Sequence, residues 1–242
     1  MSVPAVYTVY GGEELRDFVR FPYTFYKSDP RWLPPPAREI KKTLNRKKNP
    51  FFHHAEAEYY VAREGRKTVG RIAAMIDHEY NNEHGVKTGW FGLFESVDDP
   101  DVARALMRAA CGWLRDRGME NVLGPASLTP NGHAGLLLEE YGEVTDGMTA
   151  YNPPYYLRLV EGEGFIRDRE LLAWRMPTAG PVENKPGGWS SLLGGLMSLF
   201  GRRGPAGGEV RITNDDDGPA NSGMETAGAK VFGRYRVYGK SL

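Results

Sequence analysis

A mixed α/β fold is predicted by three stretches of this sequence. The first is Thr88 to Gly118, TGWFGLFESVDDPDVARALMRAACGWLRDRG, which reads as a buried strand, a tight acidic turn and a long amphipathic helix. The second is a pair of apolar strands at Glu58–Arg63 and Thr68–Asp77, joined by Glu64–Lys67 with Gly65 in the turn, a hairpin signal. The third is Asn121–Pro125, NVLGP, a short strand that follows the helix and stops at Gly124 and Pro125.

Composition bounds the class. With 242 residues, 40% of them hydrophobic, the chain can bury a sizeable core and hold one or two domains. A formal charge of zero gives no global attraction to nucleic acid or an anionic membrane, so any such binding must come from local patches. The single cysteine, Cys111, excludes an internal disulfide and a cysteine-rich zinc site. Val3–Tyr10 is too short for a signal sequence and runs straight into Gly11, Gly12 and charges, which makes the cytoplasm the expected location.

Val6–Tyr10 is read as a first strand. Glu13–Tyr26 follows as a helix suggested by Leu15, Phe18, Val19 and Tyr26 and interrupted at Pro22, which implies a kink or two short pieces. Asp29–Pro36, DPRWLPPP, is stiff and extended and suits a cover over a site. Arg38–Lys48 gathers six cations, which fit either a solvated helix face or attraction to a phosphorylated ligand. Asn49–His54 reads as a turn with an aromatic anchor, and Asp77–Gly85 as a polar loop. Neither has the spacing of a metal motif, and no metal is expected.

In the organising stretch, Gly89 and Gly92 interrupt the aromatic strand where a backbone or ligand comes close. Asp98 or Asp99 caps the helix, Pro100 takes its first position and Gly118 lies past its end. Val102, Leu106, Ala109, Ala110 and Trp113 form the inner face, opposite Arg104, Arg108 and Arg115. Beyond the 121–125 strand, Asn131 and His133 stand in a loop that suits either binding or capping. Tyr151–Phe165 is read as a helix with Asn152 as a possible cap, and Leu171–Met176 as the next strand.

VGRIAAMID, FGLFES, GPASLTPN, YNPPYY and EGFIRDRELLAW together resemble a group of bacterial GNAT-like proteins, over residues 5–176. The resemblance implies a mixed, mostly antiparallel central sheet flanked by helices. It also implies transfer of an acetyl or other acyl group from acyl-coenzyme A to a small amine or protein amino group. On this reading the strand at 90–95 splays from that at 121–124, and the backbone near Phe94, Ser96 and Val97 receives the coenzyme's thioester end. Glu95 accepts the amine proton or is a solvated or capping carboxylate. Tyr156 protonates the departing thiolate or packs in the core, because Val160 stands where the family tyrosine belongs. Asn131, Tyr151 and Asn152 are the candidate acceptor-binding residues. The turn Ser96–Asp101 departs from the family: it lacks glycines, Pro100 removes a donor, and three carboxylates repel a diphosphate. A noncatalytic GNAT-fold binding module is therefore the alternative.

From Pro177 glycine and proline dominate. Residues 177–208 are expected to be a linker, and 209–242 a tail, either short isolated strands or disordered, that does not look like a second GNAT lobe and is at most a remnant of one. Within the linker Trp189–Phe200, followed by Arg202 and Arg203, is too short to cross a bilayer and suits contact with a membrane surface or a partner. Nucleic-acid binding through Arg38–Lys48 is not favoured, since no stacking platform accompanies the charges.

Overall fold

The computed structural model describes residues 4–128, 134–140, 151–175, 202–203 and 209–242. Its first half contains β1 (Ala5–Thr8), α1 (Gly12–Phe25), α2 (Ala37–Thr43), β2 (Ala55–Glu64), β3 (Lys67–Asp77) and α3 (His78–His84). These are followed by β4 (Thr88–Ser96), α4 (Pro100–Arg115), β5 (Asn121–Ala126), β6 (Leu136–Glu140) and α5 (Tyr155–Gly162). The chain continues through β7 (Ile166–Arg175), β8 (Arg202–Arg203), β9 (Glu209–Asn214), α6 (Gly218–Thr226) and β10 (Lys230–Ser241). The described strands form one sheet in the order β1-β2-β3-β4-β5-β10-β7-β9-β8, with β6 also beside β10. The β4–β5 pair is parallel and the others are antiparallel, so the expected mixed, mostly antiparallel sheet is present.

Alternation along β3 sorts the two cores. Ile72, Ala74 and Ile76 face α4 with Leu106, Phe91 and Tyr156, while Ala73 and Met75 face α1 with Phe18, Val19 and Trp90. Helix α4 buries Val102, Leu106, Ala110 and Trp113 on the face its spacing predicts. Asp99 caps it by accepting the Asp101 amide at 2.8 Å, and Pro100 opens it. The predicted loop at 77–85 is instead helix α3. Its signal was the Asp77 cap, which accepts the Tyr80 amide at 3.0 Å, and Gly85 at φ 62°, the left-handed stop.

Two expectations need correction. The 209–242 stretch is not detached from residues 5–176. Strand β10 enters the middle of the sheet, with Tyr238 opposite Gly124 of β5 on one side and Arg167 of β7 on the other. The long interval after β7 concealed a hairpin partner that returns between two strands already made. The strands at 90–95 and 121–124 also do not splay where expected. They pair from Thr88↔Asn121 to Gly92↔Ala126, and only the last four residues of β4 continue without β5. Leu93, at φ 49°, sits at a bulge where Leu93 and Phe94 together oppose Ile72 between the pairs Ala73↔Gly92 and Arg71↔Glu95.

A chain ended at Met176 is expected to lose cooperative unfolding, followed by circular dichroism on heating. It exposes the edges of β5 and β7 and deletes Tyr238, which is fully buried in the α4-side core. A sharp transition in that fragment would contradict the role given to β10.

Candidate active site

The sheet's register, α1 and α5 converge at the end of β4. Arg71 and Glu95 are direct cross-strand partners, which puts both side chains on the α1 face. The Arg71 guanidinium donates to the Phe18 carbonyl at 2.8 Å and lies 3.6 Å from Glu95 Oε1. Tyr26, at the end of α1, donates to Glu95 Oε2 at 2.5 Å, and Tyr156 of α5 donates to the same oxygen at 2.9 Å. Tyr156 belongs to the opposite core, and its hydroxyl meets Glu95 where β4 has run past the end of β5. That hydroxyl also accepts the Ser96 amide at 2.8 Å.

Burial governs the electrostatics. It raises the Glu95 carboxyl above its usual value, against the opposing pull of Arg71 and the two tyrosine hydrogen bonds. Burial likewise lowers Arg71, with Glu95 opposing. Both Tyr26 and Tyr156 are raised, first by burial and then by the Glu95 charge, so each keeps its proton.

Glu95 and Arg71 form one wall of a cavity of about 240 Å³ under α1. Leu93, Pro125, Ala126 and Leu136 make much of the rest apolar, and Tyr151 and Ser127 bring polar groups to it. The DPRWLPPP stretch covers it, as its stiffness suggested: Trp32, Leu33 and Pro35 line the cavity. Trp32 stacks on Tyr26 with ring centroids 5.1 Å apart, and Tyr23 donates its hydroxyl to the Pro35 carbonyl.

The predicted site residues divide accordingly. Glu95 and Tyr156 are brought together, but Tyr156 is fully buried and is not among the cavity-lining residues, so it holds Glu95 rather than reaching a bound molecule. Tyr151 lines the cavity and donates to Asp29 on the covering segment. Asn152 also reaches it, but its carboxamide oxygen accepts the Leu137 amide at 2.7 Å and so ties down β6. It does not cap α5, whose start has no side-chain cap. Asn131 and His133, and the segment Trp189–Phe200, lie outside the described residues.

The amides of Ser96 and Val97 are not open to a thioester: the first donates to Tyr156 and the second to the Val69 carbonyl at 3.0 Å. Phe94 packs on Tyr156 with centroids 5.2 Å apart. At the start of α4, Asp99 already caps the helix and Asp98 is paired with Arg158. A coenzyme diphosphate at this turn would meet these carboxylates.

Tyr26, legible only as an apolar position of the first helix, and Arg71 are not among the site residues the sequence suggests. Arg71 did leave a signal, a lone cation inside the apolar run TVGRIAAMID, since a buried charge requires a partner. Tyr26 left none, because only the path of α1 carries it to Glu95.

No family model matches the sequence. The chain is 36% identical over 171 residues to Protein YghO of Escherichia coli and 35% identical over 170 residues to a bacterial ceramide synthase of Caulobacter vibrioides. These matches take in 71% and 70% of this chain but 44% of each relative, so the chain spans less than half their length. Among solved structures it is similar to a tandem GNAT protein from the clavulanic acid biosynthesis pathway. The TM-score is 0.60 at 11% identity, over 98% of both chains. It is also similar to a GCN5-related N-acetyltransferase from Sphaerobacter thermophilus, with a TM-score of 0.51 at 11% identity, over 100% of this chain and 96% of that one. Among the described residues no helix is long and apolar enough to cross a membrane. Sheet order, the parting beyond Gly92 and these likenesses agree: the chain has the fold of the GNAT acetyltransferases.

Proposed function

We propose that this chain supplies the N-acyltransfer site of a cytoplasmic GNAT-type enzyme, joining the acyl group of a thioester donor, acetyl-CoA or another acyl-CoA, to an amine. The observation that carries the reading is Glu95, a carboxylate with a raised pKa held by two tyrosines and an arginine at the wall of a largely apolar cavity. The amine nitrogen bonds to the thioester carbonyl carbon, the C–S bond breaks, and the nitrogen's proton passes to Glu95 and on to the departing thiolate. Arg71, Tyr26 and Tyr156 position the base.

The acceptor is an amine with an apolar body. The lining by Leu93, Pro125, Ala126 and Leu136 favours a hydrocarbon chain, with the amino group at Glu95. A relative described as a ceramide synthase supports this choice, since a ceramide is the amide of a long-chain amino alcohol.

A second reading, a binding lobe that has lost the coenzyme's diphosphate seat, is favoured by the acidic α4 turn. Calorimetric titration with an acyl-CoA and with the matching acyl-pantetheine separates the two. The transfer reading expects both to bind, with the coenzyme's nucleotide adding little affinity. Absence of heat with both at millimolar ligand overturns it in favour of the second reading.

A further inference from the structure

We propose that the α1–α2 face docks on an anionic lipid bilayer. A groove of about 570 Å³ runs between the two helices. Leu15, Val19 and Tyr23, four residues apart along α1, line its apolar floor, while Arg16, Arg20 and Lys41 stand along it. These three cations are exposed and have no hydrogen bond or ion pair among the described residues. Several arginines elsewhere are paired: Arg63 with Asp17, Arg104 with Asp101 and Glu163, and Arg117 with Glu56. Arg66, Arg108 and Arg115 are likewise exposed without an ion pair among the described residues, so this face differs in that its three cations stand along one apolar groove that no carboxylate lines. Glu13, Glu14 and Asp17 of α1 and Glu39 of α2 lie on the same helices but do not line the groove.

Leu33, which lines the Glu95 cavity, is 42% exposed. Val19 and Tyr23 belong to both the groove and that cavity, so the two are neighbours. An apolar channel lined by guanidinium and ammonium groups matches a phospholipid, whose phosphate meets the cations while its chains meet the floor. Anionic lipid is chosen over a soluble phosphate because the floor is apolar and the neighbouring cavity presents the exposed Leu33. The inference rests on charge and exposure and stands apart from the transfer chemistry.

The test is co-sedimentation of the protein with vesicles of phosphatidylcholine alone and of phosphatidylcholine mixed with phosphatidylglycerol. The wild type is expected to bind only the anionic vesicles, less so as salt is added. The variant R16E/R20E/K41E is expected to bind about a hundredfold more weakly. The charge-matched variant R66E/R108E/R115E, changed at exposed positions off this face, is expected to bind like the wild type. The alanine variant R16A/R20A/K41A, weakened in the same direction, guards against misfolding from charge reversal. No binding of the wild type to anionic vesicles overturns the proposal, as does an equal loss in both charge-reversed variants. It is also overturned if the groove variants keep vesicle binding but lose affinity for coenzyme A, which would make the groove a site for a soluble phosphate.

Discussion

Replacing Glu95 with Gln is expected to lower the rate of amide formation by about a hundredfold or more, the usual contribution of a positioned general base. The substitution is nearly isosteric, and its carboxamide oxygen can still accept from Tyr26 and Tyr156, so the cluster stays folded. Affinity for the thioester is expected to change little. If turnover and affinity fell together, Glu95 would be structural and its assignment as the base would fail. The pH profile gives a second readout. Because burial raises Glu95, the base form is present only above the ordinary carboxylate range, and the rate of the wild type climbs with pH through that raised value. In the Gln variant this acid limb disappears.

Stability carries the same sign. A carboxyl raised on folding contributes stability that is fully present below its unfolded value and is lost as pH rises through the folded one. The stability of Glu95→Gln relative to wild type is therefore expected to grow as pH rises from about 4, the ordinary glutamate value. Denaturant titrations at several pH values measure this difference.

Changing Gly92 to Ala is expected to cost about 3 kcal/mol or more, near or above the top of the usual overpacking range. For a chain of this size that corresponds to a fall in Tm of roughly 6–12 °C. A Cβ at this position would lie 1.8 Å from the Ala126 carbonyl oxygen and 2.8 Å from the Met75 methyl. The side-chain atom can move, but the backbone oxygen belongs to β5, so relief requires the parallel pair to separate just before the parting that forms the cavity. Thioester binding is expected to weaken along with stability. An unchanged melting temperature would show that β4 and β5 do not approach as closely as Gly92 permits.

The fate of particular residues shows which parts of the molecule could be read in advance. Helix α4 was legible from end to end because its signals are local: Asp99, Pro100, the apolar spacing and Gly118 act within a few turns of one another. The covering role of DPRWLPPP was legible because prolines fix the backbone whatever lies beneath. Gly92 announced a close approach, and the structure identifies the neighbour as the β5 backbone. The tail was misjudged because β10 is stabilised by β5 and β7, partners far away in sequence, and its own pattern of Gly233, Arg234, Arg236 and Gly239 is weak. Ser96 and Val97 were expected to offer free amides, but whether an amide is free depends on what tertiary contact claims it.

The sequence by itself determined helix α4 with its Asp99 cap, the β2–β3 hairpin and the acidity of the α4 turn, since these follow from side-chain chemistry and backbone preference over short spans. Only the tertiary structure decided that Tyr26, Arg71 and Tyr156, from a helix, a strand and a second helix, gather on Glu95. A buried carboxylate takes its character from groups that desolvate and hydrogen-bond it, and the closed sheet alone brings those groups within 4 Å.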